Sequence, residues 1–427
     1  MIITLRNIGK INNASVKIEG ITVIAGENDT GKSTVGKSLF VVCNSLNRMD
    51  ERVKRMRISG VESEILRLRR FYSSGKPFRQ LIEEIAFEKD KEVISEKLKK
   101  LFSQSDEVDI SAFEFERIVK RIASRAALTD EEVQKTIIES WINAEFNGQL
   151  INVFENNASI GLTIQNHVFT LDIDQEGIDF QGAMSLDTEA IYIDDPFVID
   201  GLSKEMENNN CIRTKNGGSH REHLMNRLKG NGFDEPGMDL DEERAKADAF
   251  LLDTYIANRR LKSVIDKVSS ICRGNVVLHR GSGVYYRING TEKELDIRNM
   301  STGIKTFAVL KHLFQNGAIE ENGVLILDEP EIHLHPEWQL VFAEIVVLLH
   351  KEYGVHVLLN THSPYFLSAI EVYSMRHNVE DQCNYYFAKN IDERNVEIVE
   401  VTDDLEVIYK GLADPLQRLE DLRYDDK

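Results

Sequence analysis

The stretch GENDTGKST, Gly26 to Thr34, places two glycines, a lysine and a hydroxyl residue at the spacing G-x-x-x-x-G-K-[ST]. Such a loop turns backbone N–H groups onto phosphate oxygens, and the helix after it adds the positive end of its dipole. Gly26, Asn28, Gly31, Lys32, Ser33 and Thr34 are therefore read as a nucleotide cradle. Lys32 would neutralise the β and γ phosphates, and Ser33, with Thr34 beside it, would reach a Mg2+ ion. The expected ligands are ATP and Mg2+.

Three further stretches supply what a phosphate loop lacks. In GVLILDEPEIHLHPEWQ, the apolar run Val324–Leu327 ends on two carboxylates. Asp328 is placed to support Mg2+, as a Walker B aspartate does, and Glu329 to act as general base toward water. In LLNTHSPYF, a second apolar strand ends on Asn360, Thr361 and His362, which places His362 to sense a γ-phosphate. In MSTGIKTF, Ser301 and Gly303 open a helix whose amides and hydroxyl face an anion. Lys32, Glu329 and His362 are the candidate catalytic residues.

These pieces need a scaffold that delivers strand ends to one place. The first 25 residues read as short strands punctuated by glycines at 9, 20 and 26. The C-terminal half alternates helix, strand, helix, strand from Gly303 to Leu359, the pattern of a parallel sheet with crossover helices. Strand patterns also fill the stretch from Gly148 to Asp200, and a hairpin is expected at NVVLHRGSGVYYRING. Between Arg48 and Arg125 the chain is helical in period and charge-dense, with about 19 basic against 15 acidic residues, although the whole chain carries −19. A helical insertion over 48–145 thus interrupts a head made of 1–47 and 146–427. Residues 203–240 read as a flexible loop around a short helix, and Asp241–Cys272 as a long helix.

The order of the four motifs resembles the ABC-type ATPase heads of the SMC, Rad50 and RecF group. It is closer to the small prokaryotic ATPases of defence systems, such as the heads of OLD-type nucleases, the Septu ATPase PtuA and the PARIS ATPase AriA. DEPEIHLHPEWQ and THSPYFL carry most of the resemblance, which covers about residues 1–45 and 275–370. It implies an α/β fold: an ABC-type P-loop head with a parallel core, an N-terminal antiparallel β lobe and a helical insertion. It also implies a homodimer or higher homo-oligomer in which Lys32 of one subunit faces Ser301 and Gly303 of the other across ATP. Glu331–Pro336 then lie in the loop that crosses the dimer interface. The signature begins Met300-Ser301 where the family has Leu-Ser, and a Mg2+-sensing Gln should lie between the insertion and the strands. Gln149 is the candidate, and Gln165 a weaker one.

Composition excludes some partners. A net charge of −19 repels nucleic acid and anionic membrane, so nucleic acid would have to use the basic insertion, at residues such as Arg52, Arg55, Arg69 and Arg70. The four cysteines form no close pair, which fits reduced thiols in a cytoplasmic protein. No apolar run is long enough to span a bilayer. The 65 residues after His362 are too few for an appended nuclease, so a separate effector, a nuclease or toxin, is expected. Folded as a hairpin, the insertion reaches about 40–60 Å, a short arm. His220 and His223 in SHREHL read as a polar surface loop, and Asp194 and Asp195 as a strand-end turn. The expected role is an ATP-driven switch in antiphage defence. A RecF-like DNA clamp and a non-hydrolysing scaffold are the alternatives.

Overall fold

Alternation and glycine punctuation dictate the first elements. In the computed structural model, β1 (Ile2–Ile8) buries Ile3 and Leu5 and exposes Ile2, Thr4 and Arg6. The antiparallel β2 (Ile11–Lys17) returns beside it, and β3 (Ile21–Gly26) is buried at every position, as a strand covered on both faces must be. The structure describes residues 1–66, 76–103, 111–207, 217–230, 255 and 259–425. These fall into two compact units, Met1–Asn47 with Glu139–Lys427, and Arg48–Ile138.

The strands of the larger unit are β4 (Asn157–Ile164), β5 (His167–Asp174), β6 (Ile178–Gln181), β7 (Ala190–Ile193), β8 (Gly274–His279), β9 (Gly283–Ile288), β10 (Glu294–Asp296), β11 (Val324–Asp328), β12 (His356–Thr361), β13 (Cys383–Asn390) and β14 (Val396–Glu400). One sheet runs in the order β6-β5-β4-β1-β2-β14-β13-β3-β12-β11-β7, and β10-β9-β8 form a second. From β13 to β7 every neighbouring pair is parallel, whereas β6, β5, β4, β1 and β2 pair antiparallel. The α/β class, with a parallel core and an N-terminal antiparallel lobe, holds.

Parallel pairing puts the carboxyl ends of β3, β12, β11 and β7 on one edge. Thr361 is level with Ala25, Asp328 with Asn360, and Ile193 with Leu327. In open sheets of this kind ligands bind along that edge. Behind β3 runs α1 (Lys32–Leu46), almost wholly buried against β7, β11 and β12. The glycine at 36 permits the close approach, since a Cβ there would lie 3.1 Å from Ile326 Cγ2 and 3.3 Å from the Tyr192 hydroxyl.

In the second unit, α2 (Met49–Leu66), α3 (Lys76–Ala86), α4 (Lys91–Ser103) and α5 (Ala112–Ala126) enclose a core of Val61, Ile65, Ile82, Ile85, Ile94, Leu98, Ile118 and Ile122. Its basic residues are partly spoken for: Arg121 and Arg125 pair with Glu64, and Arg57 with Asp130. Arg55 is exposed, while Arg69 and Arg70 lie outside the described residues. The helix α6 (Asp130–Phe146) crosses the division at Ile138.

Within 203–240 the described residues include the end of one helix and the whole of another, with 217–219 and 230 outside both. Residues 203–207 end α7 (Val198–Glu207), and α8 (His220–Lys229) begins on a capping box between Ser219 and Glu222; 208–216 and 231–240 lie outside the described residues. Of the helix expected from Asp241, α9 (Lys262–Ile271) is described, and 241–254 and 256–258 are not. Three further helices, α10 (Thr302–Gln315), α11 (Pro336–Tyr353) and α12 (Pro364–His377), bring Phe307, Phe342 and Phe366 into the main core beside Leu327 and Leu359. The last helix, α13 (Glu406–Asp425), buries Ile408 and leaves Leu419 and Leu422 exposed. Among the described residues no helix is long and apolar enough to cross a membrane. Cys43, Cys272 and Cys383 are buried free thiols, and Cys211 lies outside the described residues.

Candidate functional site

The phosphate loop leaves β3 at Gly26 and folds on itself, with Thr30 Oγ1 donating to Glu27 O at 2.7 Å. Gly31 caps α1 at φ +76°, a left-handed conformation, and a Cβ there would also press on Ile11 Cγ1 at 2.8 Å. No side chain caps the helix, so its first amides are left for another acceptor. Lys32 is buried and donates from Nζ to Gly26 O at 2.9 Å and Glu27 O at 2.6 Å. Burial pulls its pKa down, and the carboxylates of Glu329, Asp328 and Glu331 oppose that pull. Asn28 and Ser33 are exposed and Thr34 is half-buried. An ammonium resting on carbonyl oxygens beside uncapped amides fits a polyphosphate, whose oxygens accept from both.

Asp328 ends β11 and Glu329 follows it directly. Asn360 Nδ2 donates to Asp328 Oδ1 at 3.0 Å, and the Tyr192 hydroxyl donates to Oδ2 at 2.8 Å. Each oxygen keeps a free lone pair, and with the Ser33 hydroxyl this makes a hard-oxygen donor set suited to Mg2+. Glu329 adopts φ +48°, an unusual conformation for a glutamate, and its N–H donates to Asn360 O at 2.9 Å. Its Oε1 lies 3.8 Å from Lys32 Nζ and 3.3 Å from His362 Nδ1. The structure thus brings Lys32, Glu329 and His362 together, with Asp328 beside them.

Two residues of this edge carried no individual role from sequence, although Glu331 was placed in the interface loop. Tyr192 is one polar group in the buried β7, and a buried phenol needs an acceptor. That signal was present, but its acceptor is set by sheet order. Glu331 is the other. It is 2% exposed, accepts from the Thr361 hydroxyl through Oε1 and, among the described residues, leaves Oε2 without a partner. Burial raises its pKa, and the like charge of Glu329 adds to the effect. Within Glu331–Pro336 only part of the loop therefore faces outward: Ile332, His333 and His335 are exposed, whereas Glu331 and Leu334 are buried.

At the second helix terminus Ser301 is exposed and makes no side-chain cap, which leaves the N-terminus of α10 open. Gly303 is buried instead. A Cβ on it would lie 3.0 Å from both His333 O and Trp338 Cζ3, so this glycine serves packing within the chain. The two glutamine candidates lie in different places. Gln149 is exposed in the turn after α6, its N–H bonded to Phe146 O. Gln165 sits at the β4–β5 turn, separated from β11 by β1, β2, β14, β13, β3 and β12. A glutamine's reach depends on the path of the chain around it, which its own type does not encode.

The two histidines of α8 are not on a polar surface. His220 is buried between Glu145 and Asp194, with Nδ1 2.8 Å from Glu145 Oε1 and Nε2 3.0 Å from Asp194 Oδ2. Burial alone would depress the imidazole; the bonds to Asp194 and Glu145 outweigh it and lift the pKa to about 9. Asp194 is held down to about 2, because His220 and Arg221 outweigh its burial. His223 and Arg227 pair in the same way with the fully buried Glu189. Among the described residues no group of three or more His, Cys, Asp or Glu could hold a metal.

A family model described as "AAA domain, putative AbiEii toxin, Type IV TA system" matches residues 21–368. Among solved structures, the chain is similar to an SMC head bound to the C-terminal winged-helix domain of ScpA, at 10% identity over 93% of this chain and 97% of that one, with a TM-score of 0.45. It is also similar to the SMC head domain from Thermotoga maritima, at 9% identity, 94% and 98% coverage and a TM-score of 0.39. A third is an SMC head from Pyrococcus furiosus with an extended coiled coil, bound to the C-terminal domain of ScpA, at 10% identity, 99% and 98% coverage and a TM-score of 0.41.

Proposed function

The chain belongs to this AAA-domain family, and we propose that it is an ATP-hydrolysing switch. It closes as a homodimer around ATP and signals its state to a separate effector, a nuclease or toxin of antiphage defence. The observation that carries this reading is the convergence of Lys32, Glu329 and His362, with Glu329 Oε1 within 3.8 Å of the ammonium and 3.3 Å of the imidazole. Gly26, Asn28, Gly31, Lys32, Ser33 and Thr34 hold the triphosphate, and Ser33 and Asp328 support Mg2+. Mg2+ supplies positive charge against the phosphate oxygens.

Lys32 exchanges its carbonyl partners, Gly26 and Glu27, for phosphate oxygens. Glu329, fixed at its backbone by Asn360, takes the proton of an attacking water, and His362 beside it reads the terminal phosphate. Ser301 on the open end of α10 donates to the phosphates held by a partner molecule. The exposed Ile332 and His333 border the same face. Cytoplasmic location accords with the buried free thiols.

The test is a paired measurement of ATP affinity and single-turnover hydrolysis in wild type and Glu329→Gln, with self-association followed by sedimentation. Binding that survives while turnover falls supports the switch. Turnover unchanged in the variant removes Glu329 from its role. Retained nucleotide without turnover in the wild type points to the scaffold, and salt-sensitive DNA binding points to the clamp.

A further inference from the structure

Resting on the reading of Asp328 as a Mg2+ support, we propose that Tyr192 and His220 are positioning residues for that carboxylate. The buried imidazole stacks on the phenol, and the phenol fixes Asp328. The geometry is continuous. The rings of Tyr192 and His220 lie 4.6 Å apart at an interplanar angle of 28°. The Tyr192 hydroxyl donates to Asp328 Oδ2 at 2.8 Å. The tyrosine has no freedom to point elsewhere: it is 0% exposed, Phe40 meets its edge at 6.3 Å, and its hydroxyl lies in the space left by the missing side chain of Gly36.

The histidine is held as firmly. Its backbone N–H donates to Glu145 Oε2 at 2.8 Å, its Nδ1 reaches Glu145 Oε1, and its Nε2 faces Asp194. Asp194 follows Ile193, which is level with Leu327, so it is the residue beside Asp328 on the neighbouring strand. Two carboxylates at adjacent strand ends repel. His220, together with Arg221 at 2.8 Å from Asp194 Oδ2, supplies the countercharge to the outer one. Asp194 is thereby turned to the cations of α8 and leaves Asp328 to the phenol and Asn360. A metal-supporting carboxylate oriented by hydrogen bonds is preorganised, and loss of such a partner typically costs about 10–100-fold in metal affinity.

Tyr192→Phe removes one oxygen and keeps the ring. ATP binding to the full chain is measured by calorimetry in EDTA and across a Mg2+ titration, beside thermal melting. The expected result is affinity in EDTA within about 2-fold of wild type, with the Mg2+ midpoint raised about 10-fold. His220→Gln, which loses the stack and the countercharge, should move the midpoint in the same direction by a smaller factor. It also keeps the test open if the tyrosine variant does not fold. An unmoved midpoint in a folded variant overturns the inference. So does an equal loss in EDTA and in Mg2+, the signature of a merely structural role. A wild-type chain that binds ATP without regard to Mg2+ overturns the reading beneath it as well, whereas a Mg2+-sensitive wild type with an insensitive Tyr192→Phe overturns this inference alone.

Discussion

The helix N-termini of α1 and α10 both carry glycine and hydroxyl residues, and they differ in where those residues face. At the start of α1 the lysine and the glycine turn inward, while the Ser33 hydroxyl stays exposed. Lys32 is buried on its own loop carbonyls, Gly31 packs against Ile11, and three carboxylates lie near enough to influence the ammonium. At the start of α10 the hydroxyl of Ser301 is exposed and uncapped, and Gly303 is engaged with Trp338 behind it. Both termini leave their first amides uncapped, but the first sets its lysine on carbonyls of its own loop. The second presents an exposed hydroxyl and uncapped amides, the feature on which the proposed half-site rests.

The strongest way to break the comparison is at Lys32. Lys32→Ala should weaken ATP binding by more than about 100-fold, since charge-assisted bonds to phosphate are lost from a buried site; equilibrium binding checks it, and unchanged affinity would remove the inward half. Glu329→Gln should lower single-turnover hydrolysis by about 10²–10⁴ with ATP affinity retained. Ser301→Arg should leave ATP affinity of the single chain within about 3-fold while abolishing ATP-dependent self-association in sedimentation, because only the outward terminus is altered. Gly303→Asp is a different experiment. Its side chain meets His333 and Trp338 of the same chain, so melting should drop, by about 1–3 kcal/mol in stability, before any question of a partner arises.

The smallest effect concerns pH. His220 has its pKa raised to about 9 by Asp194 and Glu145, so its stabilisation is full below about 6.5 and is lost as pH rises through 9. Wild type should lose on the order of 2 kcal/mol between those limits, and His220→Gln should flatten that slope in denaturant titrations. An identical slope in the variant would assign the loss to other groups.

What was legible in sequence follows from where the determining contacts lie. The phosphate loop is local chemistry, a turn and a helix start within nine residues, so type and spacing suffice. Val324–Leu327 and Val355–Leu359 were readable as buried strands because parallel strands are apolar throughout. Tyr192 and Asp194 were not readable as neighbours of Asp328, because that needs the pairing of β7 with β11 across more than 130 positions. His220 looked superficial because the polar residues around it hid that its partners, Glu145 and Asp194, come from other elements. Gly303, expected at a ligand, also packs closely on Trp338, a contact that a glycine's type does not announce. The glutamines were chosen by position between motifs; sheet order sets Gln165 six strands from β11, whereas Leu150, next to Gln149, accepts from the N–H of Gly9, beside Thr34 of the phosphate loop.

The sheet order also has a temporal side. The strand that carries the phosphate loop is the third in the chain, yet its two neighbours are β12 and β13, residues 356–361 and 383–390. During synthesis β3 is made early and can find neither neighbour until nearly the whole polypeptide exists. At translation rates of about 5–20 residues per second that interval is roughly 20–70 s. Meanwhile β1 and β2 can pair with each other within the first twenty residues, and β4 can join them long before the core forms. Competence to hold nucleotide is thus acquired last, by a nearly finished chain. A truncated product, however well its N-terminal lobe folds, would present the phosphate-loop sequence without the sheet that makes it a binding site.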